Sequence, residues 1–151
     1  MGPIKPRILA DDARHNSRAV PKPTLNRLLH EARWRPHWQL LLLAFAGISA
    51  YFAFGPPDPQ LALRVSDKVN HVAAFAAMGA AAALAQPATW RHTGIAAVGL
   101  LVYGGFIELV QSLLPTRVAD AADLLADGLG AAIGLLLAAA LRRVWRMPTA
   151  V

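Results

Sequence analysis

Three short clusters in an otherwise apolar chain carry groups able to do chemistry. The stretch SDKVNHVAAF, residues 66 to 75, holds Asp67, Lys68 and His71. Glu108 and Gln111 close an apolar run, and Arg117, Asp120, Asp123 and Asp127 follow in TRVADAADLLAD. An imidazole beside carboxylates can move a proton near neutral pH, while ammonium and guanidinium groups can hold an anionic group such as phosphate. His71, Glu108 and Asp123 are therefore the candidates for acid–base catalysis. Asp67, Lys68, Gln111, Arg117 and Asp127 are the candidates for holding a ligand. Water is the simplest nucleophile, because the chain has no cysteine and Ser112 has no clearly assigned base. His71 with Glu108, Asp123 or Asp127 offers nitrogen and oxygen donors to a metal, but their spacing is not a compact zinc pattern. Pairing of the acids with Arg117 is the plainer use, so no metal ligand or cofactor is assigned.

Helical periodicity groups these residues further. At about 100° per residue, Asp67 and His71 share one face and Glu108 and Gln111 another, while Asp120, Asp123, Asp127, Gly130 and Gly134 form one stripe. That stripe is polar above and small below. At about 1.5 Å of rise per residue, His71, Glu108 and Asp127 can sit at similar depths. Gly104 lies one turn before Glu108, so a tightly packed lower bundle can support a polar cavity, with Lys68 and Arg117 as counterions to its acids.

The elements that must position them are membrane helices. The chain has 151 residues, 56% of them hydrophobic and only 16% charged, too little polar surface for an ordinary soluble domain of that size. Four segments approach the roughly 20 residues that cross a bilayer: Trp38 to Gly55, Asp67 to Gln86, Thr93 to Leu114 and Ala121 to Leu141. The fold class expected is all-α, a polytopic membrane protein with four transmembrane helices. Residues 1–22 read as a disordered basic tail and 146–151 as a C-terminal tail. Residues 23–37 read as a juxtamembrane or interfacial amphipathic segment, with Leu25, Leu28, Leu29 and Ala32 on one face. The membrane domain spans 38–145.

Eight Lys or Arg residues against three acids precede Trp38. Arg91 lies between the second and third spans, and Arg142, Arg143 and Arg146 follow the fourth. These regions alternate correctly to share the cytoplasmic side, so both termini are expected there and the loops near 56–66 and 115–120 face outward. The polar clusters then converge just below the outward interface. The formal charge of +6 is explained by this orientation, and no nucleic-acid motif accompanies it. GLGAAIG lacks the strand-to-helix context of a phosphate loop and reads as helix packing.

The ordered set DKVNHVAAFAAMG and GGFIELVQSLLPTRVADAADLLADGLGAAIG resembles the VanZ-like family of small integral membrane proteins, over about residues 64–137. The resemblance carries Asp67, Lys68, His71, Phe75, Glu108, Gln111, Arg117, Asp123, Gly130 and Gly134 into the family pattern. Asp127 departs from it, standing where the family commonly presents asparagine. The resemblance implies a multi-pass protein of the cell membrane, in the cell envelope, with a link to glycopeptide tolerance; it supplies no established reaction. Two functions follow. In one, the outward site processes an envelope lipid or lipid-linked ligand. In the other, it binds such a ligand without chemistry. The alternative is a non-catalytic structural subunit, packed against a membrane-protein partner or a second copy through its glycine and alanine faces. A transporter is disfavoured because the cytoplasmic half has no polar route.

Overall fold

The computed structural model describes residues 24–55, 67–117 and 119–145. The expected tails at 1–22 and 146–151 and the loop at 56–66 lie outside the described residues. Five helices are present among them: α1 (Thr24–His30), α2 (Arg35–Phe54), α3 (Asp67–Leu84), α4 (Trp90–Ser112) and α5 (Ala121–Val144). A single 3-10 turn, Ala32–Trp34, joins α1 to α2.

Local chemistry sets the boundaries. α2 begins three residues earlier than hydropathy indicates, because Pro36 falls in its first turn, where the missing N–H costs no helical bond. It stops at Gly55, where Pro56 and Pro57 follow. α4 also starts early, as Thr89 accepts a long 3.4 Å hydrogen bond from the His92 amide. α5 begins after Asp120, whose carboxylate accepts from the Ala122 amide at 2.9 Å, and Asp123 in its first turn complements the helix dipole.

The helices run alternately up and down. The C-terminal ends of α2 and α4 and the N-terminal ends of α3 and α5 meet at one end of the bundle, where Gln111 reaches Ala53 and Lys68 reaches Asp120. α2, extended by the preceding turn to Ala32–Phe54, and α4 and α5 are long and apolar enough to cross a membrane. The protein is thus an all-α, multi-pass membrane protein. α3 falls short of that apolarity because its first turns hold Asp67, Lys68, Asn70 and His71.

α3 and α5 form the centre through small residues. A Cβ on Gly79 would lie 2.6 Å from the Ala131 carbonyl, and one on Gly130 or Gly134 would collide with the carbonyl of Val72 or Ala76. The two backbones are therefore nearly in contact. Lipid is as apolar as leucine, so close van der Waals approach of this kind holds membrane helices together. α5 buries Asp123, Asp127, Gly130, Ala131, Gly134, Leu135 and Ala138 along one stripe. Around it, Phe75, Met78, Leu100 and Ile107 complete the core, while Leu40, Leu43, Val102, Leu125 and Leu136 point outward.

α2 contributes no fully buried residue; Leu42, Phe45 and Phe54 pack against the core from its edge, and polar contacts add to their hold. Tyr103 donates to the Ala46 carbonyl at 2.6 Å and pairs with Ser49 at 3.0 Å. At the far end of the bundle, Leu29 of α1 packs against Leu84 and Ala138. There Arg142 is buried and donates to the carbonyls of Leu29, Leu84 and Gln86 at 3.0 to 3.2 Å. The last carbonyls of a helix have no internal partner, so this guanidinium serves the ends of both α1 and α3.

Candidate functional site

The polar end is assembled from three helix termini. α3 presents Asp67, Lys68 and His71 from its first two turns, α4 presents Glu108 from its last two, and α5 presents Asp123 and Asp127 just inside its start. Lys68 bridges α3 to α5, with its Nζ 2.7 Å from Asp120 and 2.9 Å from Asp123 Oδ1. Lys68 and the Ala122 amide together hold the Asp120 carboxyl below the usual carboxylate range.

His71 is the deepest link. Its Nδ1 lies 2.7 Å from Oδ1 of Asp127, which is 0% exposed. The other ring nitrogen makes no hydrogen bond among the described residues. Room for the Asp127 carboxylate depends on Gly104, since a Cβ there would stand 2.6 Å from Asp127 Oδ2. Below, Gly130 leaves space for Phe75, whose ring stacks at a tilt on Tyr103 with centroids 6.0 Å apart.

Glu108 accepts the Asp120 amide through Oε2 at 2.9 Å, tying the end of α4 to the start of α5. Its Oε1 and Asp127 Oδ2 are both buried with no hydrogen-bond partner among the described residues. Five carboxylates (Asp67, Glu108, Asp120, Asp123 and Asp127) thus gather around one lysine and one histidine. Buried carboxylates require compensation by cations, protons or hydrogen bonds.

Gln111 and Arg117 do not enter this cluster. Gln111 donates to the Ala53 carbonyl at 3.2 Å. Arg117 donates to the Phe52 carbonyl at 2.6 Å and to the Gly55 carbonyl at 2.7 and 3.2 Å. A cation on the free carbonyls of a helix end is favourably placed, and Arg117 spends its donors there rather than on the acids.

Among donors that could hold a metal, one nitrogen or oxygen atom from each of Asp67, His71 and Asp123 lies within 4.8 Å of the others. Asp67 is exposed, His71 intermediate and Asp123 buried. Sequence reasoning placed Asp67, His71 and Asp123 in one cluster but did not single them out as a donor set, because two of them lie on α3 and the third, more than fifty positions later, on α5. It also missed Asp120 as a partner of both Lys68 and Glu108. A family model described as VanZ/LLP1 matches residues 13–142 of the chain. No curated protein and no solved structure matches it.

Proposed function

Because the chain belongs to the VanZ/LLP1 family, we propose that it is a cell-envelope membrane protein whose polar cluster binds and processes the headgroup of an envelope lipid or lipid-linked ligand. The observation that carries this reading is the His71–Asp127 pair. A fully buried carboxylate holds one ring nitrogen, the other is left for a ligand, and Asp67 and Lys68 stand exposed beside it. Structural ion pairs alone do not need a buried acid behind a histidine. The headgroup meets Asp67, Lys68 and His71 at the mouth, with Glu108 and Asp123 deeper, and His71 or Glu108 transfers the proton. Gln111 and Arg117 fix α2 as one wall.

Four crossings with both termini cytoplasmic accompany this proposal. α2 and α4 end at the same face of the bundle, so the chain must return between them, and α3 is the helix available. Its 18 residues make about 27 Å, close to the roughly 30 Å hydrocarbon core, and Lys68 and His71 pair with acids at the start of α5. The basic residues before Trp38 and after Leu141 put the site outside. A link to glycopeptide tolerance rests on the family resemblance.

The test pairs side-specific labelling with a lipid screen. Cysteines placed at 59 and 148 are expected to label from outside and from the cytoplasm, respectively. Purified protein in nanodiscs of envelope lipids is then assayed for binding and turnover alongside His71→Ala and Glu108→Gln. Binding retained with turnover lost supports processing, and binding lost without any reaction supports recognition alone. Unchanged behaviour in both folded variants leaves a structural ion-pair network and defeats the reading.

A further inference from the structure

We propose that Asp67, His71 and Asp123 hold one divalent cation of the manganese or zinc type, with Asp127 as the outer carboxylate that orients the histidine. This deepens the reading of the cluster as a ligand site and rests on it. Three observations converge.

The first is geometric. Ligand atoms about 2.1 Å from one ion lie roughly 3.4 to 4.2 Å apart. The three donor atoms already lie within 4.8 Å of one another, so modest side-chain movement closes them on an ion. Asp67 is exposed and free to make it. Asp123 accepts from Lys68 through Oδ1 and has its second oxygen for the ion, while Lys68 keeps Asp120.

The second is the support behind the ring. A histidine that binds a metal nearly always gives its other N–H to a carboxylate or carbonyl, which fixes the tautomer and raises the basicity of the ligating nitrogen. Asp127 does this at 2.7 Å from Nδ1, which directs Nε2 as the ligating atom. Gly104 supplies the bare backbone that lets the acid fit.

The third is charge. Asp127 is wholly buried and its Oδ2 has no partner among the described residues, as is true of Glu108 Oε1. An acidic cluster with one lysine is short of positive charge, and a divalent ion on the far side of the imidazole supplies it. One nitrogen and two carboxylates suit manganese or zinc better than calcium or magnesium, which favour all-oxygen sites. The ion also explains how so acidic a site receives an anionic headgroup such as phosphate. With His71 committed to the ion, Glu108 remains for proton transfer.

The experiment uses the full chain in detergent, stripped with a chelator and titrated calorimetrically with manganese or zinc chloride. One ion per chain is expected. Asp67→Asn and His71→Gln should each weaken binding at least about tenfold, and Asp127→Asn by about 10- to 100-fold, while His92→Gln changes nothing. Cobalt substitution gives a second readout, with visible absorption bands that shift or vanish in His71→Gln. Absence of saturable binding by the wild type overturns the proposal. So does wild-type affinity in Asp67→Asn, whose exposed position keeps the variant folded. Headgroup binding measured on the same samples separates the two readings. Ion binding without lipid binding sinks the lipid reading only, and lipid binding by a chain that takes up no ion sinks the cation only.

Discussion

Replacing Gly134 with alanine adds one methyl group where α3 and α5 all but touch. The new Cβ would meet the Ala76 carbonyl in a forbidden contact and the Ala80 amide nitrogen at 2.7 Å. Both are backbone atoms, so no side chain can swing aside. Restoring an ordinary contact of about 3.4 Å to the Ala76 carbonyl requires the helices to part by more than about 1 Å, and overpacking of this kind costs about 1–3 kcal/mol, occasionally more. Against that stands the helix preference of alanine over glycine, about 0.8–1.0 kcal/mol. The net expectation is a loss of roughly 0–2 kcal/mol, at the upper end because parting the helices also draws Asp123 and Asp127 away from Lys68 and His71. Gly99 is the control, since nothing lies within 4 Å of its would-be Cβ. There the same substitution is expected to be neutral or to stabilise by up to about 1 kcal/mol. Thermal unfolding followed by helical circular dichroism in one detergent compares the two. A Gly134→Ala protein as stable as the wild type would refute the close-approach argument.

Two other changes probe the ends of the bundle. Arg142→Leu removes charge-assisted bonds to three carbonyls and should cost about 2–3 kcal/mol, whereas Arg143→Leu, at an exposed position, should cost little in the same unfolding assay; equal losses would show that Arg142 acts only through its charge. The Asp120 carboxyl has a lowered folded value, so its contribution is fully present above the ordinary aspartate value of about 3.9 and is lost as pH falls through the folded value. A carboxyl-carbon NMR titration should place its midpoint below that of free aspartate, and Lys68→Met should raise it.

Much of the helical framework was legible because it is written in periodicity. The stripe from Asp123 through Gly134 repeats on one helical face, and that face is the one α5 buries, while Asp120 before it is exposed. The starts of α2 and α4 were less legible, since Pro36 and Thr89 extend those helices through polar residues that hydropathy excludes. The roles of the arginines were not legible at all. A guanidinium at a helix end satisfies carboxylates or carbonyls equally well, and only three-dimensional proximity shows that Arg117 serves α2. Arg142 was absorbed into the charge pattern that orients the chain, although it is also an internal fastener. That Asp67, His71 and Asp123 share one end of the bundle was legible from their depth, but their approach within 4.8 Å depends on how α3 docks on α5, which no spacing along the chain records.

The dependence of α3 on α5 has a consequence for biosynthesis. α3 carries a lysine and a histidine whose acidic partners, like the arginine that meets its final carbonyl, lie in α5 or at its N-cap. At about 5–20 residues per second, α5 emerges several seconds after α3. During that interval the buried acids that meet its lysine and histidine do not yet exist, so the polar turns of α3 depend on water until α5 arrives. A chain that stops before residue 121 therefore leaves His71 without Asp127, Lys68 without Asp123 and the last carbonyl of α3 without Arg142.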